Sequence, residues 1–136
     1  MRFMLMIYPG PHEGAWEVTR EDAEAMNAYN EALTRAGVLL ALDGLLPTEK
    51  GARVRASGGR KTVTDGPFTE AKEIVGGYWI IQAKSKEEAV EWASRAPIDE
   101  GDVIEVRQIA ELSDFDQDVQ EAAELSQTPP EQTSAT

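Results

Sequence analysis

Residues 73–97 read EIVGGYWIIQAKSKEEAVEWASRAP, a strong strand signal followed directly by a helix signal. Apolar side chains occupy positions 74, 75 and 78–81, which is typical of a strand with both faces buried. Ser85 and Glu88 match the S-x-x-E pattern of a helix N-terminus, and Pro97 is expected to end that helix. The stretch therefore predicts a buried strand that leads into a helix.

The N-terminal part of the chain predicts a similar pair. Residues 3–8, FMLMIY, form an apolar run closed by a Pro-Gly pair, which fits a short buried strand. Thr19 and Asp22 resemble a capping box, and Gly37 suits the left-handed residue after a helix. The apolar stripe of this helix runs through Ala25, Met26, Tyr29, Ala32, Leu33 and Ala36.

Three further segments read as β-structure. Residues 38–42, VLLAL, predict a strand, and residues 103–109 alternate as a closing strand. Residues 52–66, ARVRASGGRKTVTDG, contain two short β-like runs around a Gly-Gly pair, which is typical of a hairpin. The basic residues of this region are Lys50, Arg53, Arg55, Arg60 and Lys61. They fit a hairpin with one solvated face, and an anion-binding edge is the alternative.

The order of these elements predicts the fold class. Strand, helix, strand, inserted hairpin, strand, helix and strand is the split βαβ, or ferredoxin-like, arrangement of an α+β protein. Two helices cover only one face of a four-stranded sheet, yet residues 3–8 and 78–81 are apolar at consecutive positions. A second copy of the chain is the economical cover for the other face, so we expect a homodimer.

Composition excludes several classes of function. The chain has 136 residues, 25 acidic against 13 basic side chains, no cysteine and one histidine. Disulfide scaffolds, thiolate catalysis and multi-histidine sites are thereby excluded. The net charge of −12 argues against direct binding to nucleic acid or anionic membranes. The apolar run after Arg2 is too short for a signal peptide or a membrane span, which predicts a cytoplasmic protein.

The acidic excess is concentrated at the C-terminal end. Residues 111–136 hold seven acidic groups and no basic ones. We expect a folded domain over residues 1–112 and an acidic, largely disordered tail over 113–136, with one marginal helix within 114–125. Such a tail is usually a solvated segment without a binding partner, and docking to a partner is the alternative.

Carboxylates are the strongest candidates for chemistry. Asp65 precedes a Gly-Pro pair that fixes the local backbone, so its carboxylate could act as a general base, or it could accept backbone N–H groups to close a turn. Asp43 could couple with Asp65 so that repulsion raises one pKa, and it could equally be a turn residue. His12, in the loop after the first strand, is a weaker acid/base candidate. No metal-ligand spacing or cofactor motif is present, so neither is expected.

A second group of residues is expected to bind a ligand rather than react with it. Aromatic, basic and motif residues of the strands and turns would line a cleft at the dimer interface. They are Tyr8, Gly66, Pro67, Phe68, Lys72, Tyr78 and Arg107. The basic hairpin together with an aromatic cleft favours a small polar or anionic metabolite.

The sequence also resembles a known family. The run TDGPFTEAKEIVGGYWIIQAKSKEEAVEWASRAP, with RFMLMIY, AGVLLALDGL and VIEVRQI in order around it, resembles the DGPF branch of the YCII-related proteins over residues 2–110. The resemblance implies a ferredoxin-like dimeric α/β barrel. Some relatives carry a His-Asp pair in a cleft, and one has lyase-like dehydrochlorinase activity, whereas the histidine here is His12 and ALDGL contains none.

Two functions follow from these observations. The first is cofactor-free lyase- or isomerase-like chemistry on a small metabolite, with Asp65 as the base. The second is a non-catalytic ligand-sensing or accessory module. The resemblance implies an extracytoplasmic-function sigma factor as the partner of such a module, because DGPF proteins are commonly encoded beside these factors.

Overall fold

The computed structural model describes residues 1–11 and 16–123 of the chain. The predicted order of strands and helices is confirmed. The elements are β1 (Arg2–Tyr8), α1 (Arg20–Arg35), β2 (Leu39–Gly44), β3 (Ala52–Ser57), β4 (Arg60–Asp65), β5 (Gly77–Gln82), α2 (Lys86–Ser94), β6 (Val103–Gln108) and α3 (Gln117–Ala123). Within the described ranges, no helix is long and apolar enough to cross a membrane.

The four main strands form one antiparallel sheet in the order β2-β5-β1-β6. This is the ferredoxin-like arrangement that the element order predicts. In its centre, Leu5 of β1 lies opposite Trp79 of β5 on one side and Val106 of β6 on the other. Strands β3 and β4 form a separate two-stranded sheet, which is the hairpin inserted between β2 and β5.

Both helices begin at the N-cap residue that the sequence predicts, but the capping box is complete only in α1. In α1, Asp22 donates its backbone N–H to the Thr19 hydroxyl, and its carboxylate accepts the Thr19 N–H, each over 3.1 Å. The backbone hydrogen bond from Thr19 lowers the pKa of Asp22. In α2, Ser85 accepts the Glu88 N–H, but the Glu88 carboxylate accepts the N–H of Lys84 rather than that of Ser85.

The core lies between the sheet and the two packed helices. Its largest fully buried side chains are Phe3, Leu5, Leu33 and Ile81. Tyr29 of α1 joins this core through a hydrogen bond from its hydroxyl to the Trp92 carbonyl (2.7 Å). Burial raises the pKa of Tyr29 to about 12, so the hydroxyl keeps its proton and remains a donor at neutral pH.

We call the other face of the sheet the open face. Its central side chains are Met4, Met6, Tyr8, Tyr78 and Ile80. They alternate along β1 and β5 with the core residues, and they are half-buried rather than buried. The helices pack on the opposite face, as the sequence predicts for a sheet with two helices.

Strand β5 begins later than the apolar pattern suggests. The apolar pattern begins at Ile74, whereas β5 starts at Gly77, after a 3₁₀ turn at Ala71–Glu73. Gly76 donates its N–H to the Ile7 carbonyl (2.7 Å), and a Cβ there would lie 2.8 Å from the Pro9 Cγ. At the next position, a Cβ on Gly77 would lie 3.0 Å from the Asp43 carbonyl oxygen. Both glycines therefore mark places where a neighbouring segment comes close, as expected for glycine within a strand pattern.

The chain after β6 is tied back to the sheet. Arg2 forms an ion pair with Glu111 over 2.7 Å, and the hydrogen bond from this guanidinium lowers the pKa of Glu111. A 3₁₀ turn at Leu112–Asp114 precedes α3, so the helix predicted within 114–125 starts at Gln117. Residues 124–136 of the predicted tail lie outside the described residues, and the division into 1–112 and 113–136 stays a prediction.

Candidate functional site

The main candidate site is a cavity of 430 Å³ at the junction of β1, β2, β5 and α1. Its walls are mostly apolar and aromatic. They are formed by Ile7, Pro9, Trp16, Val18, Met26, Leu42, Leu45, Leu46, Pro47, Trp79 and Pro97, with glycines at 44, 76 and 77. Apolar walls with a few fixed polar groups are typical of small-molecule sites.

Two residues of this lining, Asp43 and Tyr78, form a polar pair whose side chains belong to the open face of the sheet. These residues are neighbours across strands β2 and β5, and the Tyr78 hydroxyl donates to Asp43 Oδ2 over 2.8 Å. The hydrogen bond to Asp43 raises the pKa of Tyr78, so this hydroxyl remains protonated. Within the described residues Oδ1 of Asp43 has no hydrogen-bond partner, which leaves it available to a ligand.

A second polar pair supports the wall on the helix side. The indole N–H of Trp79 donates to Asn30 Oδ1 over 2.8 Å, and the rings of Trp79 and Tyr29 meet edge to face at 5.5 Å. Trp79 is also part of the buried core, so core packing as well as the hydrogen bond holds this wall in place. Asn30 is not part of any sequence motif. Its position four residues after Met26 places it on the same face of α1, which could have indicated that it lines the cavity.

The charges of the cavity favour particular ligands. The ionisable side chains among its described lining are the carboxylates of Glu17, Asp22, Asp43 and Asp99, with no lysine or arginine among those described. An anionic ligand would be repelled by this lining, whereas a neutral polar or cationic ligand would not. The basic hairpin residues do not contribute to this cavity.

The structure places the predicted site residues at several positions. Asp43 and Tyr78 line the main cavity. Tyr8 and Lys72 line another cavity of 640 Å³. Phe68 lines a third, of 560 Å³, beside the hairpin. A single site that unites all of these residues is therefore not formed within one chain.

The remaining predicted residues that the structure describes line none of these three cavities. Asp65 ends β4 with an exposed carboxylate that has no hydrogen bond or ion pair in the described part of the chain. Gly66 and Pro67 form the turn that follows, joined by a cis peptide bond. Arg107 is exposed on β6 with its guanidinium 3.9 Å from the Glu105 carboxylate. His12 lies outside the described residues.

The turn after Asp65 is closed by other groups. Gly66 donates its N–H to the Gly51 carbonyl (3.0 Å), and Phe68 donates its N–H to the Thr48 hydroxyl (2.9 Å). The alternative in which Asp65 accepts these backbone groups is therefore wrong. The described residues also contain no group of three His, Asp or Glu side chains that could hold a metal ion.

Comparisons with known proteins assign the family. The sequence model of the YCII-related domain matches residues 1–113, so the chain belongs to the YCII-related proteins. An uncharacterised protein of Rhizobium meliloti (strain 1021) is 37% identical over 82 residues, which are 58% of this chain and 65% of that protein. The chain thus spans slightly less than two thirds of this relative.

A solved structure is also similar. It is 5-chloro-2-hydroxyhydroquinone dehydrochlorinase from Burkholderia phenoliruptrix AC1100, in complex with 2,5-dihydroxybenzoquinone. The similarity covers 85% of this chain and 100% of that chain, with 18% sequence identity and a TM-score of 0.47. A likeness of this degree says nothing about the activity of the present chain.

Proposed function

We propose that the protein binds a small, neutral or cationic polar metabolite in the main cavity and transfers a proton on it without a cofactor, in a lyase- or isomerase-like reaction. The observation that carries this proposal is the Asp43–Tyr78 hydrogen bond between two residues that line a cavity with mostly apolar walls. The walls would hold an apolar ring or chain, and the carboxylate would face its polar group.

Asp43 is the better placed of the two carboxylate candidates. Tyr78 holds Oδ2, so the carboxylate is oriented and Oδ1 can accept a proton from the ligand. Asp65, the first candidate from the sequence, would meet a ligand only at a surface shared with another molecule, since it lines none of the described cavities. Its role as a base remains a separate prediction.

The alternative function is ligand sensing without turnover. It is supported by the same pair, because a protonated tyrosine and a carboxylate also form a recognition site for a polar group. Under this alternative, the chain is a member of the DGPF branch, and the sensor acts together with a sigma factor.

Replacement of Asp43 separates these functions. In D₂O, we expect the full-length protein to catalyse exchange of the α-protons of a neutral cyclic ketone such as cyclohexanone, measured by proton NMR. Asp43→Asn should slow this exchange by about 100-fold, because a positioned base contributes factors of that size. Tyr78→Phe should slow it by about tenfold through loss of one charge-assisted hydrogen bond.

Asp65→Asn is the comparison variant. If it abolishes exchange while Asp43→Asn does not, the base is Asp65 and the assignment of Asp43 is wrong. Binding of cyclohexanone, detected by shifts of the indole N–H signals, without any exchange by the wild-type protein would support sensing instead. Equal melting temperatures of the variants would show that the fold is retained.

The protein is also expected to form a homodimer through its open face, as a dimeric α/β barrel. Half-buried apolar side chains at the centre of a sheet are normally covered, and this face includes Tyr78 with Asp43 opposite it on the edge strand β2. A second copy stacked there would exclude water from the pair, which strengthens its electrostatic interactions.

Light scattering at micromolar concentration tests this assembly. We expect a dimer for the wild type and a monomer with unchanged circular dichroism for Ile80→Lys, since a charge in the centre of the interface would be unpaired. Val90→Lys, which changes a 43% exposed valine on α2, is the control and should remain a dimer. A monomeric wild type would contradict the prediction.

A further inference from the structure

We propose that one face of the β3–β4 hairpin is a second binding site, separate from the main cavity, for a small soluble ligand that carries a phosphate or another multiply charged oxyanion. A cavity of 560 Å³ at strand β3 is lined by Arg53, Arg55, Thr64 and Phe68, together with Val54 and Ala56, the residues that alternate with the arginines along the strand. The proposal does not depend on the function assigned to the main cavity.

The register of the hairpin separates its side chains by chemistry. Residues that lie opposite each other share a face, and so do residues two apart on one strand. One face therefore carries Arg53, Arg55, Ser57, Arg60, Thr62 and Thr64. Each of these side chains can donate a hydrogen bond, and none is acidic. This set is named here the donor face.

The opposite face has a different composition. It carries Ala52, Val54, Ala56, Lys61, Val63 and Asp65. The acidic side chain of the hairpin thus points away from the three arginines. With no acidic side chain among them, the three arginines keep the potential of the donor face positive, as the binding of an anion requires.

The arginines of the donor face are also unusual in lacking ion-pair partners. Within the described residues, each arginine outside the hairpin has a carboxylate within 4.0 Å. Arg53, Arg55 and Arg60 have none, although the chain has 25 acidic residues and a net charge of −12. In so acidic a protein, three unpaired guanidinium groups on one face leave a local positive potential for an external anion.

The turn that follows β4 holds one of these arginines in place. The guanidinium of Arg53 lies 3.9 Å from the centre of the Phe68 ring, a cation–π contact. The Thr48 hydroxyl fixes Phe68 by accepting its N–H and lying 3.4 Å from its carbonyl oxygen. Gly66 packs so closely against the Thr48 carbonyl that no larger residue fits. The D-G-P-F motif thus forms a platform for Arg53.

The spacing of the guanidinium groups indicates the ligand. Arg53 and Arg55 stand on one face of β3 about 7 Å apart at their Cα atoms, so both side chains can reach the oxygens of one phosphate or two linked phosphates. Arginine binds such groups through two parallel N–H donors. The net charge of −12 opposes approach to an anionic membrane, which favours a soluble ligand over a lipid headgroup.

Titration with inorganic pyrophosphate at constant ionic strength tests the site on the full-length protein. We expect saturable binding of one pyrophosphate per chain by calorimetry. The double variant Arg53→Gln/Arg55→Gln should weaken it by at least about tenfold, since each lost charge-assisted hydrogen bond removes a substantial part of the binding energy. Phe68→Leu should weaken it by about threefold, because the arginines remain but Arg53 loses its support.

The matched control is Arg20→Gln/Arg35→Gln on α1, which removes the same charge from exposed arginines with carboxylate partners. Screening at physiological salt should limit its effect to less than about twofold. Equal losses in the two double variants, or binding that never saturates, would overturn the proposal. Cosedimentation with phosphatidylcholine–phosphatidylserine vesicles that depends on Arg53 and Arg55 would also overturn it, in favour of a lipid ligand.

Discussion

Gly66→Ala is expected to lower the free energy of unfolding by about 3 kcal/mol, which is the upper range for overpacking a well-fitted site. A Cβ at position 66 would overlap the Thr48 carbonyl oxygen and lie 2.6 Å from its carbon. Both obstacles are backbone atoms of the turn at Thr48–Lys50. Neither can rotate away as a side chain would, so the two segments must separate.

Urea unfolding measures this loss, and Gly51→Ala is the matched control. A Cβ at position 51 would lie 3.5 Å from the same Thr48 carbonyl oxygen, an ordinary contact. The backbone of Gly51 is extended, with φ −112°, so alanine fits there without strain. We expect this control to change stability by less than about 0.5 kcal/mol. Similar effects of the two substitutions would show that the approach at Gly66 is not tight.

Local patterns predicted most of the fold because its signals are carried by neighbouring residues. The capping pair Thr19 and Asp22, the left-handed Gly37 and the Gly58-Gly59 hairpin turn are all where the sequence indicates them. Each depends on contacts or dihedral angles within a few residues. The start of β5 was less predictable, because the turn before it depends on packing against β1.

The site was harder to predict because its residues meet only through the sheet. Asp43 and Tyr78 were both candidates, but their pairing follows from the β2–β5 register, which no local pattern reveals. The same limit applies to the charge of the ligand. The basic hairpin suggested an anion for the aromatic cleft, whereas the hairpin forms a separate sheet and the main cavity is lined by carboxylates.

In the motif around Asp65, the residues that make close contacts are Gly66 and Phe68 rather than the aspartate itself. The sequence favours Asp65, a carboxylate beside Gly-Pro, yet its side chain is exposed and has no hydrogen-bond or ion-pair partner within the described ranges. Gly66 and Phe68 make the close contacts, with Thr48. The partner of the motif lies about twenty residues earlier, so sequence spacing alone could not show it.

Trp79→Ala is expected to destabilise the protein by about 4 kcal/mol, a typical cost for removing a buried indole. Trp79 is 5% exposed, packs edge to face on Tyr29, and donates to Asn30. A loss of this size approaches the whole stability of a small domain. The wall of the main cavity would be lost with it, so ligand binding should fail in the same variant.

The milder Trp79→Phe isolates the hydrogen bond from the packing. We expect it to cost about 2 kcal/mol, and Asn30→Ala to cost about 1 kcal/mol, because Asn30→Ala leaves the indole N–H without an acceptor. The double variant Trp79→Phe/Asn30→Ala has no indole N–H that could be left without an acceptor. Its loss of stability should therefore be smaller than the sum of the two single losses by at least about 0.5 kcal/mol. Additive losses in urea unfolding would contradict the coupling of Asn30 and Trp79.

Trp16→Phe, at a 37% exposed position in the same cavity, should leave stability within about 0.5 kcal/mol and serves as the control.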